Sequence, residues 1–366
     1  MDNLVTANIR QRPIRSVVSI AGVALGVALV MLFTGLARGM SNDLQRRSSN
    51  VRAEIIFTRP GSADNLTSST ANLSTKYVEE LQKIEGVESA IPVIRYIYQG
   101  GRGFGFEQVE GLDWAPFAGM NQMRMTEGRP PEAMDEIIID ETKAQNGSLK
   151  VGSILSIFGG KQYRVTGIYA PESGARVKMS LAAMQYALEA PGKCTWILVK
   201  VKDGADPGAV ARRINEALPG NKIQFTRDVF TSIEKQIPFL GLFLRVLVGL
   251  AAVVSALVIM LAMYTTITER TREIGILKAM GASRAYIIGV IEKEAIVISV
   301  LGLVVGFTVA LISGALIHRI YGLMFEYGWA WAITAAAIGL LGGVLGALYP
   351  AIRAANLDAV SALSYE

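Results

Sequence analysis

The sequence predicts a membrane protein of four transmembrane helices, with an α+β extracytoplasmic domain of two lobes. Three observations predict that class. Four segments of about 20 apolar residues are almost free of charge, the length needed to cross a hydrocarbon core at 1.5 Å per residue. Residues 37–237, between the first and second segments, have the mixed charge and turn residues of an aqueous domain. Basic residues gather beside the ends of the apolar segments that would face the cytoplasm. The bulk composition agrees: of 366 residues, 51% are hydrophobic and 18% charged, with a mean hydropathy of +0.37.

Composition also excludes several function classes. The net charge of +5 is small, and the basic residues of the middle region are balanced by acids without a basic stripe or interleaved aromatics, so no nucleic-acid partner is expected. A basic cytoplasmic rim gives the same excess. Cys194 and His318 are single, so neither an intramolecular disulfide nor a Cys/His metal site can form. Cys194 opens the run Cys-Thr-Trp-Ile-Leu-Val and reads as a small buried hydrophobe. His318 ends an apolar segment and marks a membrane interface.

In chain order, residues 1–16 form a cytoplasmic segment with Arg10, Arg12 and Arg15, and 17–36 the first span, from Val17 to Leu36 without a charge. That run exceeds a signal peptide's apolar core and lacks a small-x-small cleavage site, so it reads as an uncleaved helix. Ala37 to Asn50 reads as a helical stalk reaching roughly 20 Å beyond the membrane. Val51 to Thr58 is a strand, followed by a Gly/Ser/Asn/Thr-rich loop through Ser69. Ser74 caps a helix ending near Ile84, Gly86 breaks it, and Ile91 to Tyr98 is a strand. Phe104 to Tyr169 is β-rich, with strands at 137–139, Ile154 to Phe158 and Tyr163 to Ile168. Trp196 to Val201, Pro207 to Leu218 and Lys222 to Phe225 alternate as a βαβ unit. The sequons at Asn65, Asn72 and Asn146 read as chance matches. Glu107, Glu110, Asp113 and Glu127 are scattered, and no catalytic constellation emerges.

The second span occupies 238–267, its apolar run beginning at Leu242, with Arg245 snorkelling to the outer headgroups. A cytoplasmic loop fills 268–294, the third span 295–317, a short outer loop 318–328, the fourth span 329–349 and a cytoplasmic tail 350–366. Arg270, Arg272, Lys278, Arg284 and Arg353 lie on one side against Arg319 alone in the short loop. Both termini are therefore expected in the cytoplasm and 37–237 outside. Gly22 and Gly26, like the glycines at 339, 342, 343 and 346, share helix faces that let backbones approach. Packing within one subunit and dimerisation explain that spacing equally well.

In the loop, Ile274, Leu277 and Met280 fall at i, i+3 and i+6, flanked by Arg272, Glu273 and Lys278, and Gly281 ends the helix. Such a helix either lies in the headgroups or docks in a groove of a cytoplasmic protein, and physical chemistry alone leaves both open.

Arg272 through Ser283 (Arg-Glu-Ile-Gly-Ile-Leu-Lys-Ala-Met-Gly-Ala-Ser) resembles the signature of the FtsX/MacB-type ABC transporter permeases. Three further segments are similar to that family: Asn8-Ile9-Arg10 with Arg15 and the Gly22/Gly26 span, Gly128-Arg129-Pro130 through Val165-Thr166-Gly167-Ile168, and Tyr349-Pro350-Ala351 through Leu363. Ala359 departs from the pattern, standing where the family usually has proline. The resemblance covers nearly the whole chain. It implies a coupling helix in which Arg272, Glu273, Ile274, Gly275, Leu277, Lys278 and Gly281 grip a separate ABC ATPase. It also implies a dimer with a second permease copy or paralogue, ATP and Mg bound by the ATPase alone, and a place in the bacterial inner membrane. Such systems are mechanotransmitters, exporting or extracting substrate at the outer face; the FtsX-like alternative passes ATPase cycling to a cell-wall hydrolase. A periplasmic adaptor and the cargo stay undecided. Neither Gly160-Lys161 nor Gly192-Lys193 completes the Gly-x-x-x-x-Gly-Lys-Ser/Thr phosphate loop, so the ATPase is expected on another polypeptide.

Overall fold

A computed structural model of the chain describes residues 13–60, 70–99, 106–228, 238–269 and 271–356. The chain divides into two compact units: Met1–Met40 with Phe239–His318 and Leu323–Glu366, and Ser41–Pro238 with Arg319–Gly322. Helix α1 (Pro13–Ser49) runs unbroken through the expected first span and stalk.

The second unit is an α+β domain on a ten-stranded sheet. In chain order it holds β1 (Ile55–Thr58), β2 (Leu73–Ser74), α2 (Tyr77–Gln82), β3 (Val87–Gln99), β4 (Phe106–Gly111), α3 (Trp114–Asn121), β5 (Arg124–Gly128) and β6 (Glu136–Asp140). There follow α4 (Glu141–Gly147), β7 (Ile154–Ile157), β8 (Lys161–Ala170), β9 (Val177–Met179), α5 (Leu181–Ala187), β10 (Lys193–Cys194), β11 (Trp196–Val201), α6 (Pro207–Ala217) and β12 (Lys222–Phe225). The strand order is β12-β1-β11-β3-β4-β9-β6-β8-β5, with β7 also on β8.

The two expected lobes share one sheet because β3 serves both. Its first half pairs with β11 through Val93↔Trp196, and its second half with β4 from Ile94↔Gly111. Pro92, which cannot donate to a ladder, sits just before the exchange. Consecutive strand residues point to opposite faces, so Ile137 and Ile139 enter one core while Ile138 enters another with Phe117, Tyr169 and Leu198. The expected βαβ unit is present in split form, with β1 antiparallel between β11 and β12.

Three local expectations need correction. The first strand begins at Ile55 rather than Val51, because the preceding polar groups bond elsewhere: Arg52 N donates to Asn121 Oδ1 at 2.8 Å, and the Glu54 carboxylate takes Lys200 Nζ at 2.7 Å and Val201 N at 2.8 Å. Ser74 belongs to β2, paired with Lys193, and α2 starts only at Tyr77. Helices α3 and α4, which the sequence reading did not assign, lie within the stretch expected to be β-rich, the second capped by Asp140, which accepts from Lys143 N. The 61–69 loop, with Asn65, lies outside the described residues.

The other unit adds α7 (Pro238–Glu269), α8 (Thr271–Ala279), α9 (Arg284–Tyr321) and α10 (Trp329–Asn356). Among the described residues three helices are long and apolar enough to cross a membrane: α1 from Ser16, α9 and α10. In α7 the described apolar run is Val248–Leu261. Val23, Val27, Met31, Ala251, Ile259, Ile298, Leu303 and Ala347 from the four long helices form the unit's core.

Candidate functional site

The loop between α7 and α9 contains the short helix α8. Gly281, at φ 91°, adopts the left-handed conformation that ends a helix, and its N–H closes on Lys278 O at 2.9 Å. Ser283 Oγ then accepts from Tyr286 N at 3.2 Å, capping the start of α9.

One face of α8 is fixed to its own unit. Ile274 is 8% exposed and joins Ile267 of α7, Ile287 of α9 and Ala354 and Ala355 of α10. Gly275 is buried beside it. Lys278 Nζ donates to Ala355 O at 2.9 Å, a cation on the carbonyl end of α10 where the helix dipole favours it. The end of α10 is tied again where Arg353 donates to Tyr264 Oη at 3.0 Å and lies 5.1 Å from its ring.

The opposite face is open. Ile276 is 44% and Met280 71% exposed, one helical turn apart, with Glu273 exposed on the same side. The apolar stripe read from the sequence, Ile274–Leu277–Met280, is thus divided: Ile274 turns inward, Leu277 is half-buried and Met280 faces out. Ile276 was missed as an outward residue because the inner face is set by Ala354 and Ala355, remote in sequence. The side chain of Arg272 lies outside the described residues. What the geometry provides is a short, rigidly backed helix offering two flexible apolar side chains to solvent, an arrangement able to enter a groove but holding no reactive group.

Of the glycines singled out for helix packing, Gly22 is used within the chain, where an added Cβ would collide with Val258 of α7; Gly26 is buried. Two of the four carboxylates that the sequence left scattered, Glu107 and Glu110, are held in ion pairs. Glu107 takes Lys143, and Glu110 takes Arg95 at 2.7 Å and Lys178 at 2.9 Å. Among the described residues no group of three His, Cys, Asp or Glu side chains could hold a metal ion.

Comparisons with known proteins agree in both units. Residues 16–217 match the family model of the MacB-like periplasmic core domain, and residues 245–359 that of the FtsX-like permease C-terminal domain. The macrolide export ATP-binding/permease protein MacB of Escherichia coli is 25% identical over 383 residues, covering 96% of this chain and 58% of that protein. An uncharacterized ABC transporter permease of Methanocaldococcus jannaschii is 25% identical over 399 residues, covering 100% of this chain and 98% of that one. The chain therefore spans little more than half the length of the MacB protein it matches. The crystal structure of the periplasmic region of MacB from Actinobacillus actinomycetemcomitans aligns at a TM-score of 0.38 and 14% identity, over 52% of this chain and 98% of that one.

Proposed function

The chain belongs to the ABC transporter permeases that join a MacB-like periplasmic core domain to an FtsX-like permease domain, and from that premise we propose that it is a transmembrane subunit coupling ATP hydrolysis by a separate ATPase to export or extraction of a substrate at the outer face of the cytoplasmic membrane. ATP and Mg2+ are bound by the ATPase. In this reading α7 supplies the fourth span, both termini are cytoplasmic, and a second permease copy or paralogue completes the transporter. The M. jannaschii relative, matched over nearly its whole length, is likewise named as a permease.

The observation that carries the reading is the two-sided character of α8. Ile274, Gly275 and Lys278 hold it to the ends of α7, α9 and α10, while Ile276 and Met280 stay exposed. A push on the outer face would therefore be delivered to three long helices rather than absorbed by a loose loop. Glu273, Ile276, Met280 and the adjoining Gly281 form the contact, Leu277 its half-buried edge, and Ile274 and Gly275 its backing.

The test is co-purification with the cognate ATPase and stimulation of its hydrolysis. Ile276→Asp with Met280→Asp should abolish both while the permease still accumulates in the membrane. Ile274→Asp should instead reduce the amount of folded permease, since it places a charge in a closed apolar cluster. A complex and an ATPase rate unchanged by the outward pair would overturn the coupling role.

A further inference from the structure

The last turns of α1 are clasped by a single loop of the domain, residues 172–176, through contacts that all lie within one compact unit. Arg47 Nη1 donates to Gly174 O at 2.9 Å, and Gly174 N donates back to Arg47 O at 3.2 Å. Asn50 Nδ2 donates to Glu172 O at 2.6 Å, and Ser173 Oγ to Asn50 O at 3.4 Å. At the centre, Arg176 places one arm of its guanidinium on Asp43 of α1 and the other on Asp140 of β6, the latter at 2.8 Å. Asp140 is fully buried and Asp43 nearly so. The planar fork sets a separate donor nitrogen on each of two carboxylates from different elements, a fixed geometry that an ammonium does not have.

The clasp continues into the sheet. Gly174 has φ 58°, and a Cβ there would stand 2.5 Å from Glu110 Oε2, so the loop rests directly on the buried Glu110 carboxylate. Ala175 N donates to the same oxygen at 3.1 Å, Lys178 Nζ to it at 2.9 Å and Arg95 to Oε1 at 2.7 Å. Lys178 also donates to Ser173 O and Ala175 O. Asp140, Lys178, Glu110 and Arg95 sit on β6, β9, β4 and β3, four adjacent strands. Hydrogen bonding to this depth far exceeds what capping the end of one helix requires.

We propose that Arg176 is a positioning residue that makes the end of α1 and the four central strands move as one body, so that displacement of the helix is passed to the domain through side chains as well as through the chain. This rests on the reading that helix motion does the transporter's work. Closely packed, densely bonded networks transmit displacement because they have no soft intermediate arrangement.

The experiment is hydrogen–deuterium exchange on the full chain in lipid nanodiscs without nucleotide, so it does not depend on the ATPase. Arg176→Lys keeps the charge but loses the fork that sets one donor nitrogen on Asp140 and the other on Asp43. It should speed exchange about tenfold in residues 41–50 and in 136–140 together, with α6 and β12 unchanged as the sign that the domain remains folded. Asp43→Asn should likewise loosen 136–140 and 172–179 in the wild type, yet add nothing there in the Arg176→Lys background. Asp43→Asn that loosens only the helix, or Arg176→Lys that leaves both segments at wild-type rates, would overturn the clasp. Transport that continues unchanged in an Arg176→Lys variant whose clasp has loosened would instead count against the coupling reading.

Discussion

Lys178 is the costliest side chain in the domain to bury, and it is fully buried. Its ammonium is held by Glu110, by the carbonyls of Ser173 and Ala175, and by the ring faces of Phe117 and Tyr169 at 5.1 and 5.3 Å. Removing Lys178 leaves the buried Glu110 carboxylate with Arg95 as its remaining cation and strips the carbonyls of Ser173 and Ala175 of a donor, so Lys178→Met should cost about 3 kcal/mol, read as a lowered denaturation midpoint by tryptophan fluorescence. Adding Glu110→Leu to that variant should recover part of the loss, because the remaining carboxylate no longer needs a counter-charge. Two carboxylates also set the response to acid. Burial alone would raise the pKa of Glu110, but Lys178 and Arg95 outweigh it and hold the group at about 2. Glu136 is brought to about 2 by the hydrogen bond from Arg129, assisted by the Glu132 and Ala133 amides. A folded pKa below the unfolded value means that the unfolded chain takes up protons first. Their contribution is therefore complete above the ordinary value of 4.5 and lost as pH falls toward 2. Denaturation midpoints should be flat from neutrality to about pH 4.5 and then decline, and Glu136→Gln should make that decline shallower. A slope unaltered by Glu136→Gln would remove this residue from the acid response.

Helix α8 shows which parts of an element a sequence can reveal. Its existence and its end at Gly281 were legible because a left-handed glycine is a local signal, whereas the start of α9 at Arg284, inside the expected loop, was not read. Which face turns inward was not, because Ala354 and Ala355 settle it from the far end of the chain. The same division runs through the domain. The run Ile137–Ile139 was legible as a short strand, and the structure adds that it is buried on both sides. The partner exchange of β3 and the meeting of Asp43, Asp140 and Arg176 are long-range pairings that no short window contains. Glu110 was visible as a carboxylate, yet its four-strand network was not. Two variants test the element. Ser283→Ala removes the cap from α9 and should cost about 1 kcal/mol, seen as faster amide exchange confined to residues near 284–287. Ile274→Ala, by opening a cavity against Ile287 and Ala354, should cost about 2–4 kcal/mol and loosen α8 and the end of α10 together. Equal effects of the two variants would mean that α8 is held by its caps rather than by its buried face.

At the scale of the whole chain, coupling requires that the α+β domain and α8 lie on opposite sides of the membrane, joined by helices that cross it. Among the described residues three helices, α1, α9 and α10, are long and apolar enough to do so, and with three spans after an inside start the C-terminal end would finish outside. With α7 as the fourth span, the loop carrying α8 and the end of α10 return to the side of the N-terminus, the side that the basic residues favour. The difference is measurable with the chain's own chemistry. Cys194 is buried, and burial pushes its thiol up to about 12, so it carries almost no thiolate at neutral pH and should stay silent to maleimide. New cysteines can then be placed singly without removing it. Lys202→Cys on the exposed end of β11 should react with a membrane-impermeant maleimide added to intact spheroplasts, whereas Met280→Cys on the open face of α8 should react only after permeabilisation. If α7 does not cross, the two sites share a side and must label together. Joint labelling in intact cells would leave a push on Met280 with no helix pair to carry it to the domain, and would end the transmission scheme whatever the ATPase proves to be.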